Sequence, residues 1–130
     1  VAEPIWITTR LALAIHDRQL AEHGGITGLR DENLLDSALA RPRNLLAYSS
    51  EPPPLSQLAA AYTFGIAKNH PFLDGNKRTA TVVCETFLNL NGYHLTADDQ
   101  MLCVTILQLA AGNLSEDELA AWLKQHTVKQ

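Results

Sequence analysis

The chain has 130 residues, 46% of them hydrophobic and 18% charged, with a formal net charge of −4. This is the composition of a folded globular chain, and its length suits one compact domain spanning residues 1–130. The acidic balance, with a pI near 5.6, argues against direct nucleic-acid binding, which calls for a basic surface.

No apolar run reaches the roughly 18 residues of a membrane span, so no membrane partner is expected. The start, with Glu3, Pro4 and Asp17 and few cations, does not read as a signal peptide. Val1 stands where an initiator methionine was removed or the start was trimmed, and the sequence leaves both open. The expected compartment is the cytoplasm. Two cysteines, Cys84 and Cys103, fall inside apolar helical patterns and read as two buried thiols of a reducing compartment. No Cys/His spacing suggests zinc.

Val1 to Ile7 reads as a short extended lead-in. From Thr8 or Thr9, Leu11, Ala14, Ile15 and Leu20 recur at helical spacing, with a threonine as N-cap. This first helix is expected to end near Glu22, before Gly24-Gly25. The loop from Gly24 to Arg30 lacks the GxGxxG and Walker A patterns and reads as a mobile connector. Asp31 opens a second helix through Leu34, Leu35, Ala38 and Leu39, which Pro42 is expected to end. Arg41 and Arg43 flank that proline as cations facing water, although either is long enough to reach a ligand. Asn44 to Pro54 reads as an irregular crossing closed by three prolines.

A third helix is expected from about Leu55 to Lys68, apolar around much of its girth and therefore central. A fourth begins near Asn76, with Ala80, Val83, Cys84, Phe87 and Leu88 on one face and Gly92 beyond its end. Thr96 is expected to cap a fifth helix running to Gly112. Ser115 and Glu118 form a capping box for a sixth, after which the tail from His126 is expected to fray. No stretch reads as a strand hairpin. The expected fold is an all-α bundle of about six helices, with the third and fourth at its centre.

The loop between those two central helices, Asn69-His70-Pro71-Phe72-Leu73-Asp74-Gly75-Asn76-Lys77-Arg78-Thr79-Ala80, gathers most of the chemically able groups. Pro71 stops one helix and a new one starts at about Asn76, so the amides of Gly75, Asn76, Lys77 and Arg78 lack intrahelical partners. Free amides and the positive end of the helix dipole make an anion site. Lys77 and Arg78 oppose that dipole by a few tenths to about 1 kcal/mol each. A bound anion removes the conflict, so this departure from helix stability points to function.

Arg78 can grip two phosphate oxygens at once. Asp74 is the loop's one carboxylate, suited either to Mg²⁺ beside a polyphosphate or to capping the fourth helix. Histidines titrate near neutral pH, and His70 sits where a general base for a hydroxyl nucleophile fits. Phe72 reads as an inward anchor. His16, His23, His94 and His126 read as structural. The residues alone support transfer of a phosphate-containing group from a nucleotide to a hydroxyl. A metal-dependent phosphohydrolase fits poorly, because His70 and Asp74 do not fill a coordination shell.

His70-Pro71-Phe72-Leu73-Asp74-Gly75-Asn76-Lys77-Arg78 resembles the core motif of the Fic/Doc superfamily, and Asn76 to Ala80 looks most like its death-on-curing (Doc) toxin branch. His23 to Gly28 and Asn89 to Gly92 are similar to flanking parts of that branch. By position, the resemblance implies His70 as the base, Asp74 as the Mg²⁺ ligand, and Gly75, Asn76 and Lys77 as the segment cradling nucleotide phosphates. It implies Arg78 as a phosphate-binding arginine and Phe72 as the buried anchor.

Lys77 stands where adenylyl-transferring Fic proteins carry glycine, and Thr81 where they carry a second arginine. In the Doc branch such changes accompany a reversed ATP that offers its γ-phosphoryl group. The resemblance therefore implies a protein serine/threonine kinase using ATP and Mg²⁺. The implied target is a threonine of elongation factor Tu, so that translation stops, and the implied partner is a cognate antitoxin. The alternatives are Fic-type AMP transfer and a non-catalytic helical binding module.

Overall fold

The computed structural model describes residues 3–130. Val1 and Ala2 of the expected lead-in lie outside the described residues. Six helices follow in order: α1 (Thr9–His23), α2 (Glu32–Tyr48), α3 (Leu55–Asn69), α4 (Asn76–Leu90), α5 (Asp99–Ala110) and α6 (Glu116–Gln125). Two three-residue strands, β1 (Tyr93–Leu95) and β2 (Thr127–Lys129), pair antiparallel with His94 opposite Val128. The fold is all-α apart from this small pair. No helix among the described residues is long and apolar enough to cross a membrane.

Local chemistry sets most helix ends. The Thr8 hydroxyl accepts from the Leu11 amide, and Asp31 accepts from the Asn33 and Leu34 amides. Ser115 and Glu118 complete the expected capping box. The cap of α5 is Asp98, which accepts from the Met101 amide, and not Thr96. Thr96 instead donates its backbone N–H to the His126 carbonyl.

α2 runs through Pro42 to Tyr48, six residues beyond the expected stop. A proline inside a helix costs about 3 kcal/mol through the lost bond and ring clash. Past it, Leu45 and Leu46 are partly buried against the core, each contributing some fraction of the roughly 1.5–3 kcal/mol of a fully buried leucine. Their burial, with that of Pro42 itself, works against the cost of the proline. The irregular crossing therefore shrinks to residues 49–54.

α3 packs against α2, α4, α5 and α6, and ten of its residues are buried. Gly65 permits a close approach to α2: a Cβ there would lie 2.9 Å from the Ala38 Cα. Tyr62 is fully buried and its hydroxyl accepts the Ile7 amide at 3.0 Å, fastening the lead-in. Asn91, just past α4, exchanges two hydrogen bonds with the backbone of Ile5.

The end of the chain is ordered where fraying was expected. β2 pairs with β1, and the Gln130 amide reaches the Gly92 carbonyl. Strands of three residues carry too little alternation to be read from sequence. Cys84 is buried as expected, but Cys103 is exposed. Arg43 is exposed as expected, whereas Arg41 is half-buried. Arg41 pairs with Glu116 and lies over the Phe64 ring, and Arg43 lies over Trp6.

Candidate active site

α3 ends at Asn69 because Pro71 cannot continue it, and His70 turns the chain in the left-handed region at φ 50°, ψ 60°. It is the one non-glycine residue with positive φ among those described, a conformation costing about 1–2 kcal/mol. Such strain gathers at functional positions when the surroundings hold it in place. Gly75, at φ 76°, turns the chain again into α4. The first helical bond of α4 runs from the Thr79 amide to the Gly75 carbonyl. The amides of Asn76, Lys77 and Arg78 precede it and are left for a ligand.

A cleft of about 300 Å³ opens over this turn, lined by His70, Leu73, Asp74, Gly75, Asn76, Lys77 and Arg78. All six residues singled out in the sequence thus meet in one place. Lys77 and Arg78 are exposed and belong to none of the ion pairs among the described residues. Their charge adds to the dipole end instead of being neutralised.

The Gly75 amide differs from its three neighbours, since it donates to Asp74 Oδ1 at 2.9 Å. The Asn76 side chain is buried and turned back onto the loop. Its Oδ1 accepts the Phe72 amide at 2.9 Å and its Nδ2 donates to the Phe72 carbonyl at 3.0 Å. Asn76 therefore shapes the loop with its side chain and offers a ligand its backbone amide. Thr81 donates its hydroxyl to the Lys77 carbonyl, so no second basic side chain enters from that turn.

Asp74 lies at the rim of the cleft, with Oδ2 accepting the Ile26 amide at 3.2 Å. Each carboxylate oxygen has one backbone donor and keeps acceptor capacity. No group of three or more metal-binding side chains exists among the described residues. A single carboxylate next to a phosphate site suits Mg²⁺, which takes one or two carboxylates and completes its shell with water and substrate phosphates. The residues present fit that ion.

Three contributors to the site were not singled out in the sequence. His16, buried on α1, stacks on Phe72 with ring centres 3.8 Å apart and an interplanar angle of 8°. Its Nε2 bonds the Asp74 carbonyl at 2.8 Å. Phe72 is the inward anchor that was expected, 1% exposed.

The loop between α1 and α2 is not a free connector. Leu29 bridges Phe72, the Leu73 amide donates to the Gly28 carbonyl, and Ile26 holds Asp74. From the same loop, Arg30 donates to the carbonyls of His70 and Asn69. Two signals in the sequence point this way. His16 shares a helix face with Ala12, Ile15 and Leu20. Arg30 is a cation just ahead of a helix start, the same conflict with the dipole that marks Lys77 and Arg78.

A six-helix bundle carrying this loop between two central helices defines the class, and comparison agrees with it. The family model described as Fic/DOC family matches residues 6–88. The chain belongs to that family, within its Doc branch. It is 45% identical over 75 residues to a protein named Toxin Doc from Mycolicibacterium smegmatis, a match covering 58% of each chain. It is 29% identical over 113 residues to the Protein kinase doc of Escherichia phage P1, covering 87% of this chain and 88% of that one.

Proposed function

We propose that the chain is a Doc-type toxin and a protein serine/threonine kinase that moves the γ-phosphoryl group of ATP to a protein hydroxyl. One observation carries the reading. The open amides of Asn76, Lys77 and Arg78 lie under two unpaired cations, in the same cleft as the Asp74 carboxylate and the His70 imidazole. The chain's similarity to the proteins named Toxin Doc and Protein kinase doc supports the reading.

In this reaction His70 takes the proton of the acceptor hydroxyl. The freed oxygen forms a bond to the γ-phosphorus while the bond from that phosphorus to the bridging oxygen breaks, and ADP leaves with the electron pair. The α4 amides, Lys77 and Arg78 hold phosphate oxygens and meet charge as it shifts to the leaving group. Asp74 would hold Mg²⁺, which supplies neutralisation of phosphate charge.

Lys77 and Thr81 favour γ- over α-phosphoryl transfer. Lysine adds bulk and charge at the amides, and the Thr81 hydroxyl is committed to its own helix. The acceptor is proposed to be a threonine of elongation factor Tu in the cytoplasm, so that translation stops. A cognate antitoxin is the proposed partner.

The test is incubation with ATP labelled at either the α or the γ position, Mg²⁺ and purified elongation factor. Gain of γ-label alone, with one phosphate added by mass, is the expected result. Transfer of α-label would replace the kinase with an adenylyltransferase. Growth arrest that survives His70→Ala would replace both with a binding module.

A further inference from the structure

The aim of the His70 imidazole depends on a left-handed backbone that its own helix does not hold. Within α3 the turn has one support, the His70 amide donating to the Ile66 carbonyl at 3.3 Å. Beyond it, three successive carbonyls leave the helix end, those of Asn69, His70 and Pro71. All three are taken by residues 30 and 31. Arg30 Nη2 donates to Asn69 O at 2.6 Å and Arg30 Nε to His70 O at 2.7 Å. The amides of Arg30 and Asp31 donate to Pro71 O at 2.7 and 3.0 Å.

The geometry of the first two bonds is specific. The Asn69 carbonyl belongs to the peptide plane before His70, and the His70 carbonyl to the plane after it. The angle between those planes is set by φ and ψ of His70 alone. Both carbonyls bind one guanidinium, which is planar and presents its donors in a fixed fork. Arg30 therefore fixes the two dihedrals that orient the imidazole. It also places a positive charge against the C-terminal carbonyls of α3, where the helix dipole favours one. Arg30 does not line the cleft and joins none of the ion pairs among the described residues. We infer that Arg30 is a positioning residue for His70, acting across the loop pair and not on the nucleotide. This rests on His70 being the base of the proposed reaction.

The experiment compares wild type, Arg30→Ala and Arg30→Lys by initial-rate kinetics of γ-phosphoryl transfer. Misplacing a catalytic group slows chemistry without removing nucleotide contacts. The alanine variant should lose on the order of ten- to a hundredfold in kcat, with the KM for ATP little changed. The lysine variant, which lacks the planar fork, should fall between. Guanidinium chloride at low, non-denaturing concentration should restore part of the alanine variant's rate. Unchanged kcat in both variants, or a loss confined to the KM for ATP, overturns the inference.

If Arg30→Ala does not fold, Arg30→Lys decides by the same split. If wild type transfers no label, the proposed function fails, and the inference is then decided by nuclear magnetic resonance. Arg30→Lys should shift the His70 ring signals and speed exchange of the His70 amide, leaving the Asn76–Arg78 amide signals in place. Unmoved His70 signals overturn it.

Discussion

Asp74 depends on a residue with no side chain. Gly25 sits behind its carboxylate at φ 132°, and a Cβ there would lie 2.8 Å from both Asp74 Oδ2 and Leu20 Cδ2. Gly25→Ala is expected to cost about 1–3 kcal/mol in backbone strain and to push the carboxylate off its Ile26 donor. In the proposed reaction, half-maximal transfer would then need more Mg²⁺, which a metal titration of the rate reads directly. His70→Ala should lower transfer by roughly 10²–10⁴-fold while nucleotide still binds, since the α4 amides are untouched. Arg78→Ala should have the opposite signature. It loses charged hydrogen bonds worth about 1.5–3 kcal/mol, visible in calorimetry as weaker nucleotide binding. The cleft residues were legible because they are consecutive: one proline, one glycine and a helix start bring them together. His16, Ile26 and Arg30 were not, since their bonds span 58, 48 and 40 residues.

Between elements, the α2–α3 crossing is close-packed at Gly65. At Gly65 an added Cβ would meet Ala38 Cα and Cβ at 2.9 Å. The Cα is backbone and cannot step aside. Gly65→Ala should destabilise the fold by about 1–3 kcal/mol despite alanine's better helix propensity, and thermal unfolding checks the sign. An unchanged or raised midpoint would show that α2 can shift away. The same crossing explains why Pro42 misled: a local rule predicts the end of α2, and packing across α3 carries the helix past it. The strands fail to show in the sequence for a similar reason. Each is three residues long, and their pairing joins Tyr93–Leu95 to the chain's far end.

Across the whole molecule, one half-buried and one fully buried group tie stability and reactivity to protonation. Glu85 on α4 is pushed up to about 7 from 4.5, first by burial, then by the charge of Asp99 and its hydrogen bond. The native state holds this proton where the unfolded chain has lost it. Its stabilising effect is complete below about pH 4.5 and is lost as pH rises through about 7. Glu85→Gln removes the charge and should raise stability near pH 8 by about 1 kcal/mol, allowing for the half of the side chain that water screens. Near pH 4.5 it should change little. Urea midpoints at the two pH values test this, and an equal effect at both would remove the charge conflict as its cause. The Cys84 thiol is pushed up to about 12 by complete burial, so it stays protonated and unreactive in the folded state. Exposed Cys103 should be modified by a thiol reagent in native protein, and Cys84 only on unfolding.

The sequence by itself determined the helix count, most of the caps and the loop that lines the cleft, because each depends on residues within a few positions of one another. Periodicity, capping side chains, Pro71 and Gly75 act locally, and the fold does not override them. Only the tertiary structure decided how the loop is held. The left-handed turn at His70 and the aim of Asp74 are set by Arg30, Ile26 and His16, which reach them after α1 packs on α4 and the α1–α2 loop crosses the motif. Hydrogen bonds across such distances leave no periodic trace in the chain. They form only when helix packing has already brought their ends together.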